Sequence, residues 1–406
     1  MKILFITDNF PPEVNAPASR TYEHCREWVR QGAEVTVITC APNFPQGKVY
    51  PGYKNRLYSQ EIMDGIKVIR VWSYITANAG FMRRVLDYMS FAMSAFIVGL
   101  SQETHIIVAT SPQFFTTFTG YSLSFAKRRP WVFELRDLWP ESIITVGAMK
   151  KGAAIRMLEK AEQFMYRQAD MIVPVTDAFR DRLIDYGVAP EKITVVTNGV
   201  DKSVFPVRAP DEDLLDSLGL KGKFILGYVG THGMAHGLDF VVQTLSEIDD
   251  SDVHLLCVGD GAAKADVVAR AHALGLKNVT FLDPVEKSRV GDYLSILDAV
   301  LVPLRKSDTF KTVIPSKIFE AAAMEKPILL GVDGQARKII EEYDAGLYFE
   351  PENGEALRAA IVALKEDKSR YSACQAGCRQ LATAYDRKTL AQKMLAAITA
   401  FVRGTE

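Results

Sequence analysis

Lys2-Ile3-Leu4-Phe5-Ile6-Thr7 and Glu34-Val35-Thr36-Val37-Ile38-Thr39 are short apolar, β-branched runs, and the helical segment Ser19 to Gln31 between them stops at Gly32. Strand, helix, strand in so short a span is a βαβ unit, with its two strands parallel and the helix packed across them. The alternation recurs at Ile106 to Ala109, Trp131 to Leu135, Met171 to Val175 and Ile193 to Val196, with helical stretches at Gly152 to Gln168 and Thr176 to Tyr186. These runs are apolar throughout, as strands covered on both faces must be, so the front half reads as an open parallel sheet.

Past Asn198-Gly199-Val200-Asp201 comes a proline- and charge-rich stretch, Pro206 to Asp213, which reads as the domain linker. The pattern then restarts at Phe224 to Val229 and recurs at His254 to Val258, Val279 to Leu282, Ala299 to Pro303 and Pro327 to Gly331. Arg387 to Arg403 carries Leu390, Met394, Leu395, Ile398 and Phe401 on one helical stripe, so it needs a surface to cover. The expected architecture is α/β with two Rossmann-like, doubly wound parallel-sheet domains: residues 1–197 with 387–406, and residues 198–386. Ligands of such sheets bind outside the strand carboxyl ends, so the two domains are expected to face a central cleft.

The 406 residues, 48% hydrophobic and 24% charged, exclude a disordered chain and exceed what one core holds. A net charge of −1, mildly basic in front and mildly acidic behind, offers no field for nucleic acid. Five cysteines without a framework spacing fit a reducing compartment, and no His or Cys cluster implies a metal. The N-terminal apolar run is too short for a signal peptide, which places the expected location in the cytoplasm. From Tyr88 to Gln102 there are 15 residues without a charge, preceded by Phe81, Arg83 and Arg84. That is too short to span a bilayer and fits a helix lying on the inner face of the cytoplasmic membrane; an interior helix is the competing reading.

Chemistry-bearing residues gather at strand ends. The loop Asp8 to Ser19 holds Glu13 and Asn15, with Ser19 placed to cap the first helix. Arg136, Asp137 and Glu141 follow the strand ending at Leu135; Asp137 or Glu141 can orient or deprotonate a sugar hydroxyl, with Arg136 holding the carboxylate. Gly230-Thr231-His232-Gly233-Met234-Ala235-His236-Gly237 is a glycine-punctuated turn between strand and helix, suited to a pyrophosphate. Behind Pro315 and Ser316, Lys317 supplies a cation and Glu320 an acceptor for a ribose diol.

With these stretches in view, the sequence resembles glycosyltransferase family 4, of GT-B fold, and within it the bacterial O-antigen and capsule transferases similar to N-acetyl-L-fucosamine (L-fucosamine) transferases. The resemblance rests on Phe-Pro-Pro-Glu from Phe10, Arg-Asp-Leu-Trp-Pro-Glu from Arg136, Asn-Gly-Val-Asp from Asn198, Gly-Asp-Gly from Gly259 and Pro-Ser-Lys-Ile-Phe-Glu from Pro315. It implies a front domain for the acceptor, a second domain for a UDP-sugar, a last helix crossing back to the front domain, a retaining reaction and no cofactor beyond the donor. The implied donor contacts are Gly230, Thr231, His236, Gly237, Gly259, Arg305, Lys311, Thr312, Ser316, Lys317 and Glu320. Glu13, Asn15, Arg83, Arg84, Arg136 and Glu141 would meet a polyprenyl-diphosphate-linked saccharide, and Asp137, Lys317 and Glu320 would be catalytic.

The chain departs from the family in three places. Thr312 stands where the family has the first of two glutamates eight positions apart, while Glu320 matches the second. Thr231 and His236 stand where it places Arg and Lys, which moves the cationic duty to Arg305, Lys311 or Lys317. No acceptor-side His is present, which leaves Asp137. A UDP-sugar 2-epimerase on the same fold and a non-catalytic nucleotide-sugar-binding subunit stay open as alternatives.

Overall fold

The computed structural model describes residues 1–13, 15–44, 46–76, 81–111, 113–138 and 152–405. Contacts divide the chain into two units, Met1–Asn198 with Arg387–Glu406, and Gly199–Asp386.

In the first unit the order is β1 (Lys2–Ile6), α1 (Ala16–Arg30), β2 (Glu34–Cys40), β3 (Tyr58–Met63), β4 (Ile66–Val71), α2 (Phe81–Leu100), β5 (Ile106–Thr110), α3 (Phe115–Lys127), β6 (Trp131–Leu135), α4 (Ala153–Gln168), β7 (Met171–Pro174) and α5 (Asp177–Asp185). Among the described residues they form a seven-stranded sheet, β3-β4-β2-β1-β5-β6-β7. It is parallel except for β3, an antiparallel edge strand paired with β4. The chain moves from β1 to one side and returns on the other at β5, so the crevice at which such sheets bind ligands lies at the carboxyl ends of β1 and β5. Ile193 to Val196, expected as a strand, runs beside β7 with Thr194 N donating to the Ile172 carbonyl and Val196 N to that of Pro174, but makes only an isolated bridge.

The second unit runs through α6 (Glu212–Leu218), β8 (Phe224–Val229), α7 (Leu238–Leu245), β9 (Val253–Val258), α8 (Lys264–Ala273), β10 (Val279–Leu282), α9 (Val290–Ser295), β11 (Ala299–Pro303), α10 (Lys317–Ala323), β12 (Ile328–Gly331), α11 (Gln335–Tyr343), β13 (Gly346–Tyr348), α12 (Gly354–Glu366) and α13 (Lys368–Ala384). Its six-stranded sheet, β10-β9-β8-β11-β12-β13 among the described residues, is parallel, with the direction switch between β8 and β11. The stretch expected as a linker belongs to this unit. Val200 and Phe205 are buried in its core, Val200 N donates to the Tyr385 carbonyl, and the exposed prolines and charges that follow lead into α6.

After α13 the chain returns to the first unit as α14 (Arg387–Thr405). Leu390, Ala391, Met394, Leu395 and Ile398 join a core with Phe5, Cys25 and Trp28, and the Trp28 indole donates to the Ala391 carbonyl at 2.9 Å. All five cysteines are buried thiols.

Candidate functional site

Two glycine turns meet at the carboxyl ends of β8 and β9. Gly230 N donates to the Val258 carbonyl at 2.8 Å, His232 N to that of Asp260 at 2.9 Å, and Ala263 N back to that of His232 at 2.9 Å. Gly230, Gly259 and Gly261 have φ of +133°, +142° and +159°, open chiefly to glycine. Packing imposes the same choice: a Cβ on Gly259 would fall 2.0 Å from the Gly230 carbonyl oxygen, and one on Gly261 2.5 Å from that of His232.

A Cβ on Gly230 would fall 2.0 Å from Lys317 Nζ, so the first residue of α10 holds its ammonium against the turn. It donates to the Val229 carbonyl at 2.8 Å and lies 4.8 Å from the centre of the Tyr228 ring. Burial lowers the Lys317 pKa, opposed by the Glu320 carboxylate one turn on. Tyr228 organises the rest: its hydroxyl donates to the Thr231 carbonyl at 2.6 Å, and its ring meets His232 and His236. Sequence reasoning missed it, because an aromatic residue within an apolar strand reads as core.

The two histidines differ. His236 Nδ1 accepts from Gly233 N at 3.2 Å, so that nitrogen is unprotonated and the neutral ring carries its proton on Nε2. Burial and Lys317 lower its pKa. His232 is fully buried, and burial with Lys264 and Lys317 nearby brings its pKa down to about 4. Among the described residues no three His, Cys, Asp or Glu side chains gather as a metal would require.

Arg305 and Lys311, the other two cations expected at the pyrophosphate, are each paired with carboxylates of their own unit. Arg305 donates to both Asp239 carboxylate oxygens at 2.9 and 3.0 Å, to Glu352 at 3.2 Å and to the Met234 carbonyl at 2.9 Å, tying the turn to the start of α7. Gly237 packs against it, and Lys311 pairs with Asp308 at 2.7 Å. Thr312 donates to the Thr309 carbonyl at 3.0 Å, and Ser316 is exposed just before α10. Of the three candidate cations, Lys317 alone touches Gly230.

In the first unit, Glu13 is buried, and its Oε1 accepts from Asn43 N at 2.7 Å and Phe44 N at 2.9 Å, stapling the β1 loop to the β2 loop. Asn15, not Ser19, caps α1: its Oδ1 accepts from Ala18 N at 2.8 Å, and Ser19 lies inside the helix. Both side chains expected to meet an acceptor thus have work within their own loop. Arg136 N and Asp137 N share the Ser111 hydroxyl oxygen at 2.8 and 3.3 Å, which fixes the Arg136-Asp137 turn to the end of β5. Burial lowers Arg136 to about 10, so it stays a cation. Glu141 lies outside the described residues. Arg83 and Arg84 are exposed in the first turn of α2, Arg84 donating to the Tyr88 hydroxyl at 2.9 Å.

Three further groups were not read from the sequence. Arg20 of α1, fully buried, donates to Glu134 of β6 at 2.9 Å and to the carbonyls of Val196 and Thr197 at 2.9 and 2.6 Å, anchoring the segment that leads to Asn198. An arginine on a helix and a glutamate inside a strand give no signal that they pair. Asp8, at the β1–β5 crevice, is raised to about 6 by burial, and Asp87 of α2 to about 7 by burial and by Asp8. The place of Asp8, two residues beyond the first strand, was the available clue.

Two such sheets, each with its polar groups at the strand carboxyl ends, define the GT-B class. Residues 15–199 match the glycosyl transferase 4-like domain and residues 223–367 match glycosyl transferases group 1, so the chain carries two glycosyltransferase domains in tandem. It is similar to the putative colanic acid biosynthesis glycosyl transferase WcaI of Escherichia coli K12, at 26% identity over 89% of this chain and 91% of the relative. It is also similar to the putative teichuronic acid biosynthesis glycosyltransferase TuaH of Bacillus subtilis, at 28% over 52% and 53%. Among solved structures, Anabaena HepE in complex with UDP-glucose aligns with a TM-score of 0.71 at 18% identity, over 98% of this chain and 100% of that one.

Proposed function

We propose that this chain is a glycosyltransferase of bacterial surface-polysaccharide assembly, moving a hexose-class sugar from UDP to a lipid-linked saccharide with retention at the anomeric carbon. An N-acetylated deoxy-hexose such as N-acetyl-L-fucosamine is the sugar the motif resemblance favours. The relatives named for colanic and teichuronic acid biosynthesis support the pathway class, and a neighbour of the same fold holding UDP-glucose supports the donor class.

The observation that carries the reading is the ammonium of Lys317 held against the turn at Gly230. Tight backbone turns that glycine alone can form, beside one partly desolvated cation, suit the diphosphate of a nucleotide sugar. In transfer, the bond from the anomeric carbon to the β-phosphate oxygen breaks, and one forms to the acceptor oxygen. Negative charge then grows on the departing UDP, where Lys317 meets it at full strength and the His236 Nε2–H adds a neutral donor. Glu320 accepts from the ribose diol. Asp137, beside the cation Arg136, orients the acceptor hydroxyl or takes its proton. This division of labour also accounts for Thr231 and His236 standing where the family has cations, since Lys317 supplies the charge.

The test is calorimetry with UDP, GDP, TDP and their sugars, followed by incubation with a lipid-linked saccharide. Selective binding of the uridine ligands and appearance of an extended saccharide are expected. A new UDP-sugar formed from donor alone would identify an epimerase instead, and binding without turnover a non-catalytic subunit.

A further inference from the structure

The carboxyl-end rim of the first sheet displays aromatic rings that the proposed transfer leaves unused. Phe44 on the loop after β2, Tyr58 at the start of β3, and Trp72 and Tyr74 after β4 are 46%, 47%, 37% and 43% exposed. Their strands are neighbours: Cys40, the last residue of β2, lies opposite Val71, the last of β4, and Val71 lies opposite Tyr58 on its other side. The rings therefore leave adjacent strand ends at the side of the sheet where ligands bind, and apolar surface gathered in this way marks a ligand groove or an interface.

The backbone that carries the rings is held from several sides. Phe44 N donates to Glu13 at 2.9 Å, and the Phe44 carbonyl accepts from the Tyr50 hydroxyl at 2.6 Å. Ser73, between Trp72 and Tyr74, is fully buried; its N–H donates to Asn55 Oδ1 at 3.2 Å and its carbonyl accepts from Asn55 Nδ2 at 2.7 Å. Tyr74 N donates to the Ser90 hydroxyl of α2 at 2.7 Å. Buried Arg70 of β4 joins the neighbouring loops, donating to the carbonyls of Cys40 and Pro11 at 3.1 and 2.6 Å and to Glu61 at 2.7 Å. Rings on a fixed frame lose little freedom when a ligand settles on them, so more of the contact energy remains as affinity. Through Glu13 and Arg70 the rim continues into the loop that begins at Asp8, which lies within electrostatic reach of Arg136.

A sugar ring has C–H groups on its faces and hydroxyls at its edge. The C–H face sheds water favourably against an aromatic ring, while the hydroxyls need polar atoms close to that ring. Trp and Tyr meet both needs, since each carries a polar atom at the edge of an apolar ring, and three of the four exposed rings are of these types. We infer that Phe44, Trp72 and Tyr74 form a saccharide platform on which sugars of the acceptor beyond the accepting one are stacked, so that the acceptor class is an oligosaccharide rather than a single sugar. The inference deepens the proposed function and rests on it for the transfer step; binding of saccharide to the rim stands apart from that reading.

The test uses the full chain and lipid-free saccharides: an array of single sugars and of oligosaccharides from bacterial surface polysaccharides, followed by calorimetry on the tightest ligand. Wild type should bind an oligosaccharide about ten-fold or more tightly than any single sugar. Trp72→Ala and Tyr74→Ala should each weaken that binding by roughly five- to ten-fold at an unchanged melting temperature, and Trp72→Phe and Tyr74→Phe, which keep a ring, should recover most of it. Where an alanine variant melts early, Phe44→Ser carries the test, since Phe44 is the most exposed of the three. In transfer, the alanine variants should raise KM for the oligosaccharide more than they lower kcat, with UDP affinity as in wild type. The inference is overturned if wild type shows no preference for length, if the folded variants bind as wild type does, or if the ring-retaining variants fail to recover the loss. It is equally overturned if these variants lose sedimentation with lipid vesicles while saccharide binding is unchanged, which would make the rim a lipid contact. UDP binding and sugar transfer without a length preference would refute this inference alone; loss of UDP binding in wild type would remove the transferase reading without touching the saccharide result.

Discussion

In the proposed transfer, Lys317 is the residue on which most of the chemistry converges, and its readout separates roles. Because its charge gains value only as the phosphate leaves, Lys317→Ala should lower kcat by about 100-fold while weakening UDP-sugar binding by less than about ten-fold. Equal losses in steady-state and binding experiments would make it a uniform binder instead. Asp87 makes a different test. Its carboxyl keeps its proton in the native protein to about pH 7 instead of 3.8, so between those values the folded state binds more protons than the unfolded state. Stability therefore falls as pH rises through that window, and Asp87→Asn should raise stability at pH 8 by about 1 to 3 kcal/mol, with the gain shrinking as pH falls from about 7 and gone near pH 4. Thermal melts across pH check this, and a gain independent of pH would refute it. Lys317 was legible because a cation behind a Pro-Ser helix start has no packing explanation. Tyr228, Arg20 and the capping role of Asn15 were not: each is of a type common in strands, helix surfaces or turns, and only three-dimensional neighbours give it that role.

Strands buried on both faces were legible because desolvation leaves them one composition. β1, β5, β6 and β11 are such runs. β3 is not: its Tyr-Ser-Gln-Glu-Ile-Met alternates exposed and half-buried residues on a sheet edge, where no continuous apolar signal arises. Ile193 to Val196 has a strand's composition but makes only an isolated bridge to β7, and Arg20 binds its last carbonyl. The turns after β8 and β9 act as one element, Gly259 and Gly261 making room for the backbone of Gly230 and His232. Gly259→Ala places a Cβ against the Gly230 carbonyl at a φ of +142°, so it should destabilise the second unit by about 2 to 4 kcal/mol and abolish UDP binding together. Unfolding monitored beside a UDP titration checks this; an alanine variant of native stability and affinity would show that the turns are not coupled.

The first unit is built from two separate pieces of sequence, Met1–Asn198 and Arg387–Glu406, whereas the second, Gly199–Asp386, is contiguous. α14 returns from the second unit to complete the core of the first, and its apolar stripe, legible as a helix in need of a surface, is buried against Trp28 and β-sheet residues. Ending the chain at residue 386 should therefore cost the first unit its cooperative unfolding while the second still binds UDP; a sharp two-step melt in the shortened chain would contradict this. How the work is divided between the units is the broader claim, with the donor's diphosphate held by Gly230, Gly259 and Lys317 and the acceptor served by Arg136 and Asp137. The most direct test is calorimetric titration of UDP into wild type, Gly230→Ala and Asp137→Asn. Gly230→Ala should weaken UDP by about ten-fold or more, since its Cβ takes the space beside Lys317 Nζ, while Asp137→Asn should bind UDP as wild type does. Unchanged UDP affinity in a folded Gly230→Ala variant would contradict the assignment of this turn.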